Sequence, residues 1–167
     1  MGREIAGTLD RERAAQQIVA SLQALFRVRG AVIYRVDASS GTLVSVAAAG
    51  DAAAEGWAAR VVPVGQGVAG CVVASRQVVW SADVVDDPRS TTRAPTSRSV
   101  LGVPLLSRGN VIGAIVVADD AGRAYTMEER RLLLSFAAQA AVALDNARRF
   151  EESERRRYAA EALAEVG

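Results

Sequence analysis

The sequence predicts an α+β domain, with a central antiparallel sheet of five or six strands and helices from both chain ends packed on one face. Three observations predict it. Two pairs of apolar, largely β-branched runs each flank a short Gly-containing turn, the pattern of antiparallel hairpins. Apolar residues recur at helical spacing near both chain ends. From Thr126 to Val166 there is no Gly and no Pro, which predicts one helix on the order of 60 Å long at ~1.5 Å per residue.

The first helix is expected to begin near Asp10, an acceptable N-cap. Ala15, Ile18, Val19, Leu22, Leu25 and Phe26 form its apolar face, and Gly30 follows its end. The run 31–36, the turn 37–41 and the run 42–48 read as the first hairpin. The Ala-rich stretch 49–60 fits a short helix or an ordered loop equally. Val61 to Val64 reads as a short strand. Gly65-Gln66-Gly67 then leads into a short helix, Val68 to Ser75, and Val78 to Trp80 into another strand. From Ser81 to Ser97 the chain is polar and broken by Pro88 and Pro95; a structureless stretch of this length is uncommon unless functional or mobile. Val100 to Leu106 and Val111 to Ala118 form the second hairpin. Thr126 and Glu129 have the spacing of a capping box at the start of the long helix.

The chain of 167 residues is long enough to bury a real core, and its net charge of +1 points to neither nucleic acid nor an anionic membrane. It contains no histidine, which removes the commonest general base, the usual haem ligand and the most frequent metal ligand. Ser–His–Asp and Cys–His sites are therefore excluded, and one cysteine without histidine leaves no structural zinc site. The lone Cys71 fits a reducing, cytoplasmic compartment. The apolar stretch Leu132 to Leu144 is too short to span a bilayer, and the N-terminus lacks the pattern of a signal peptide. No metal and no cofactor is expected.

Five segments, in order, carry a family resemblance: Val64-Gly65-Gln66-Gly67-Val68-Ala69-Gly70; Asp83-Val84-Val85-Asp86-Asp87-Pro88-Arg89; Ser99-Val100-Leu101-Gly102-Val103-Pro104-Leu105; Val111-Ile112-Gly113-Ala114-Ile115-Val116-Val117; and the run 137–147. Together they resemble a GAF domain, the sensory module of bacterial kinases, cyclases and phosphodiesterases. The resemblance implies a non-catalytic regulatory domain over residues 10–147, preceded by a lead-in of residues 1–9 and followed by a helical linker, 148–167, to a downstream signalling domain. The ligand-specific branches do not match. The chain has no Lys for the cyclic-nucleotide signature, too few cysteines for the free methionine-sulfoxide reductases, and no His for bilin or haem attachment.

Gly102 and Gly113 are expected to leave room above the sheet, and Pro104 to mark a bulge beside the pocket. A small ligand is expected between the strands carrying Val103, Leu105, Ile115 and Val117 and a cover of Val68, Cys71 and the 81–98 loop; without the register, the sequence leaves open which face of the sheet holds the void. Asp83, Arg89, Arg93 and Arg98 would supply its polar contacts, although these arginines also read as ordinary solvated loop charge. Cys71 likewise reads as a small buried hydrophobe. Asp83, Asp86 and Asp87 lack the EF-hand spacing. On the long helix, Leu133, Ala137, Ala140, Leu144 and Ala147 recur at heptad-like spacing and predict a parallel homodimer seam, with Leu132, Phe136, Ala143 and Phe150 on a neighbouring face. A single wide stripe packed on the sheet is the alternative. The functional expectation is a ligand-responsive module acting through its terminal helices; a ligandless dimerisation spacer is the rival.

Overall fold

The computed structural model describes residues 2–57, 60–91 and 96–166, and for residues 2–9 the backbone alone. The elements in chain order are α1 (Gly2–Phe26), β1 (Gly30–Asp37), β2 (Thr42–Gly50), α2 (Asp51–Ala54), β3 (Val61–Pro63), α3 (Gly67–Ser75), β4 (Val79–Ser81), β5 (Ser99–Ser107), β6 (Asn110–Asp119) and α4 (Met127–Val166). Both predicted hairpins form. They join through β1 and β6 into one six-stranded sheet of order β3-β2-β1-β6-β5-β4, antiparallel throughout. The first helix does not begin at Asp10. It is already helical from Gly2, so the structure has no break between the expected lead-in and the domain.

The sheet is covered on both faces, and strand alternation divides its side chains between two cores. Ala31 and Ile33 of β1, Leu101, Val103 and Leu105 of β5, and Ile115 and Val117 of β6 pack beneath α1 and α4. Val32 and Tyr34, Val100, and Ala114, Val116 and Ala118 face the other way, against α2, α3 and Trp57. Burying each large apolar side chain stabilises the fold by ~1.5–3 kcal/mol, and both faces of the three central strands contribute. Gly102 leaves no room above the sheet. A Cβ there would meet Val72 Cγ2 at 2.7 Å and Val68 Cγ1 at 3.1 Å, so this glycine lets α3 dock directly on β5. At Gly113 the space is filled by the Tyr34 carbonyl, 2.0 Å from such a Cβ.

Pro104 stays in register opposite Ala114, and the irregularity falls one residue later, between Leu105 and Leu106. Since β4 stops opposite Gly102, the outer side of β5 at Pro104 has no paired strand. Two bulges result from register shifts. Val46 is skipped between the Ile33–Ala47 and Tyr34–Ser45 pairs, and Ile112 between the Leu105–Gly113 and Leu106–Val111 pairs.

The capping box at the start of α4 is present: Glu129 accepts the Thr126 N–H at 2.8 Å, and Thr126 Oγ1 accepts the Glu129 N–H at 3.1 Å. Arg123 ties this end of α4 to the rest of the domain through Glu129, Asp119 and the Phe26 carbonyl. The buried face of α4 is Leu133, Ala137, Ala140, Ala141, Leu144 and Asp145. The residues expected to form a dimer seam are thus largely the stripe that docks on the chain's own sheet. Ala147 beyond them is half-buried. Because α4 needs an apolar face for the sheet before it can offer one to a partner, the most regular stripe goes inward. From Arg155 to Val166 every residue is exposed.

Candidate functional site

On the sheet face opposite α1 and α4 lies a cavity of about 540 Å³, within the ~300–1,000 Å³ of ligand pockets. Its floor is Tyr34, Val100 and Val116, one residue from each central strand. The N-terminal turn of α3, with Val68 and Ala69, forms one wall. Trp57, Arg60 and the short β3 form the other. Val84, Ser90 and Thr91 close it from the loop between β4 and β5.

Local backbone chemistry explains this placement. Gly65 and Gly67 have φ of 89° and 62°, a region that favours glycine and permits the sharp entry into α3. The Gly67 N–H then donates to the Arg89 carbonyl at 2.8 Å, fastening the loop to the start of the helix. No side chain caps α3, whose Gln66 N-cap makes no such bond.

The loop holds itself with its own charges. Arg98 forms a two-point pair with Asp83, its Nε lying 2.9 Å from Oδ1. Arg89 grips Asp87 at 2.9 and 2.6 Å and also donates to the Trp80 carbonyl. These contacts hold the carboxyls of Asp83 and Asp87 below the usual range, despite the opposing effect of burial. Arg89, Arg98 and Asp83 therefore order the loop, and none of them lines the cavity. Arg93 lies outside the described residues. Among the described residues no cluster of Asp, Glu or Cys has the makings of a metal site.

Val68 is in the cavity wall, as expected, but the other apolar residues assigned to the site are not. Val103, Leu105, Ile115 and Val117 belong to the core beneath α1 and α4, on the far face of the sheet. Val100 and Val116, on the same two strands but an odd number of residues away, have the places assigned to them, because one residue of register exchanges the faces. Cys71 is half-buried on α3, its Sγ 3.6 Å from the Gly65 carbonyl, and lies outside the lining.

The polar groups at the cavity are Tyr34, Arg60, Ser90 and Thr91, none of them a residue assigned to the site from the sequence. Tyr34 is 5% exposed. Burial pushes its hydroxyl up to about 12, against the opposing charge of Arg60, so it stays a neutral phenol at physiological pH. The site thus offers an apolar floor, an indole wall, a phenol and a guanidinium. It has no histidine and no thiol among its lining residues.

A family model for the GAF domain matches residues 10–144. Among solved structures, the chain is similar to the GAF domain of a phosphoenolpyruvate-protein phosphotransferase from Coxiella burnetii, with a TM-score of 0.75 at 20% identity over 83% of this chain and 84% of that one. It is similar to the second GAF domain of DevS from Mycobacterium smegmatis, with a TM-score of 0.69 at 24% identity over 87% and 98%. It is also similar to the free methionine-R-sulfoxide reductase from Neisseria meningitidis, solved in complex with its substrate, with a TM-score of 0.71 at 23% identity over 83% and 80%. At these identities the structural likeness carries the fold and nothing finer.

Proposed function

The chain belongs to the GAF domain family, and from that premise we propose that it is a non-catalytic regulatory module that binds a small molecule in the cavity between the sheet and α3. The observation that carries this reading is the division of β1, β5 and β6 between two cores. The residues that floor the cavity alternate along the same strands with residues that support α1 and α4. A ligand favouring one curvature of these strands, or one setting of the loop, shifts the population toward the helix arrangement that accompanies it. The lining fits a compact, mostly apolar molecule with one or two polar groups for Tyr34 and Arg60.

Output is assigned to the terminal helices, as a homodimer leading to a downstream signalling domain in the cytoplasm. The seam differs from the one the heptad spacing predicts. Leu132 and Phe150 are 49% and 65% exposed and share a stripe of α4 with Phe136 and Ala143. On α1, Leu25 is exposed as well. Such a stripe, beside the docked one and touching the helix-side core only through Phe136, suits a second copy of the same helix. Among the described residues no helix is long and apolar enough to cross a membrane.

One observation favours the rival reading, a ligandless spacer. Arg89 and Arg98, the expected anion grips, are already paired inside the loop. Hydrogen exchange on the protein as purified, and again after unfolding and refolding in ligand-free buffer, separates the two. The regulatory reading expects faster exchange after stripping in residues 60–69, 84–91 and 127–145 together. Identical profiles favour the spacer.

A further inference from the structure

The second cavity lies on the other face of the sheet, beneath the helices. It measures about 650 Å³ and sits where α4 parts from the sheet after Leu144. Its floor is apolar: Ile33, Val46, Leu105 and Ile112, with Leu144 at the side. Both sheet bulges open here. Val46 and Ile112 are the two skipped residues, and each is half-buried against the helix-side core, the kind of redirection that bulges produce. Above the groove, Arg11 of α1 and Glu151 of α4 bridge the two helices at 3.3 Å.

The rim is the most basic part of the cavity. Arg11, Arg35, Arg148 and Arg155 stand against the carboxylates of Asp145, Glu151 and Glu152. Those carboxylates are engaged, apart from Glu151 Oε1, which is buried without a hydrogen-bond partner. Asp145 accepts from Ser107 at 2.9 Å and pairs with Arg148 and Arg149, while Glu152 pairs with Arg148 and Glu151 with Arg11. Arg35, exposed on β1 beside the apolar floor, forms no close ion pair among the described residues; the one carboxylate that feels its charge is Asp37, at the end of the same strand.

We propose that this groove is a second ligand site, for an unbranched monocarboxylate of medium chain length. Its alkyl chain lies on the bulged apolar floor, and its carboxylate pairs with Arg35 at the rim. A guanidinium suits a carboxylate through two parallel N–H···O bonds. The occupant would sit under the point where α1 and α4 leave the domain, so binding would act on the helices directly. This assignment stands apart from the cavity on the opposite face.

The test is calorimetric titration of the intact chain at neutral pH with hexanoate, octanoate and decanoate, and with octylamine as the cationic control. Hydrogen exchange on the octanoate complex locates the site. Affinity is expected to rise roughly three- to fourfold per added methylene. Octanoate should bind at least tenfold more tightly than octylamine, with protection at residues 33–36, 105–112 and 144–155. Arg35→Glu, an exposed change, should abolish the preference for octanoate over octylamine. Ile112→Trp, which fills the floor, should weaken both. Equal binding of octanoate and octylamine, an Arg35→Glu variant that keeps the preference, or protection at 60–69 and 84–91 instead would each overturn the proposal. So would a groove already protected in a dimer without added carboxylate, which would assign it to a second copy.

Discussion

Glu55 and Trp57 are joined through a hydrogen bond of 2.9 Å from the indole Nε1 to Glu55 Oε2. The other oxygen of the same carboxylate accepts the backbone N–H groups of Thr96 and Ser97 at 3.1 and 3.2 Å, and the Thr96 hydroxyl. One side chain thus ties a wall of the candidate cavity to the segment that returns the covering loop to β5. Hydrogen bonds to a charged acceptor contribute ~1.5–3 kcal/mol each at most, less where water competes. Glu55→Ala is therefore expected to cost about 1–3 kcal/mol in urea unfolding, a range set by these same bonds. It should also speed exchange at Ser97 and shift Trp57 emission to the red, measured in a Trp80→Phe background. An unchanged Ser97 exchange rate would refute the latch.

The two stripes of α4 make opposite expectations. Leu144 is buried against the sheet, so Leu144→Ala should destabilise the domain by ~2–5 kcal/mol. Phe150→Ser lies on the exposed stripe and should leave domain stability within about 0.5 kcal/mol while weakening self-association. Urea unfolding paired with light scattering on both variants checks the assignment; the reverse pattern would restore the heptad seam as the dimer interface.

Gly102→Ala should destabilise by ~1–3 kcal/mol, the usual cost of overpacking. The added methyl meets Val72 and Val68, whose branched side chains have little rotamer freedom. Since Val68 is also a cavity wall residue, the variant should bind any ligand of that cavity more weakly. Thermal unfolding with and without ligand measures both effects.

High pH probes Tyr34. Its folded-state value of about 12 lies above the ordinary ~10 of an unfolded tyrosine because burial opposes ionisation. The folded protein therefore holds this proton longer than the unfolded chain does. The corresponding stability is fully present below pH ~10 and is lost as pH rises toward 12, at about 1.4 kcal/mol per pH unit. Tyr125 is pushed upward in the same direction, also by burial. Urea midpoints between pH 9 and 11.5 should fall for the native chain and fall less steeply for Tyr34→Phe.

The legible parts of the fold are those encoded locally. The capping box of Thr126 and Glu129, the Gly-turn hairpins and the short α3 after Gly65-Gln66-Gly67 all rest on neighbours in sequence, and all are present. The face of each central strand is not encoded that way. Val100 to Leu105 and Ala114 to Ala118 are apolar at every position but Gly102 and Pro104, because both sides of β5 and β6 are buried. No alternation remains to say whether Val103 or Val100 looks toward α3; only the pairing of Gly102 with Val116 and the docking of α3 on Gly102 decide it. The loop arginines stand out as candidates for the opposite reason, being charged, but Asp87, two residues from Arg89, and Asp83, fifteen from Arg98, bind them first.

Native mass spectrometry of the freshly purified chain, beside a Val116→Trp variant that fills the cavity floor, decides whether the cavity between the sheet and α3 holds a ligand. The native chain should retain a small molecule that is released on collisional activation and is missing from the variant. A bare chain in both samples, with Val116→Trp more stable to heat than the native protein, would contradict that expectation.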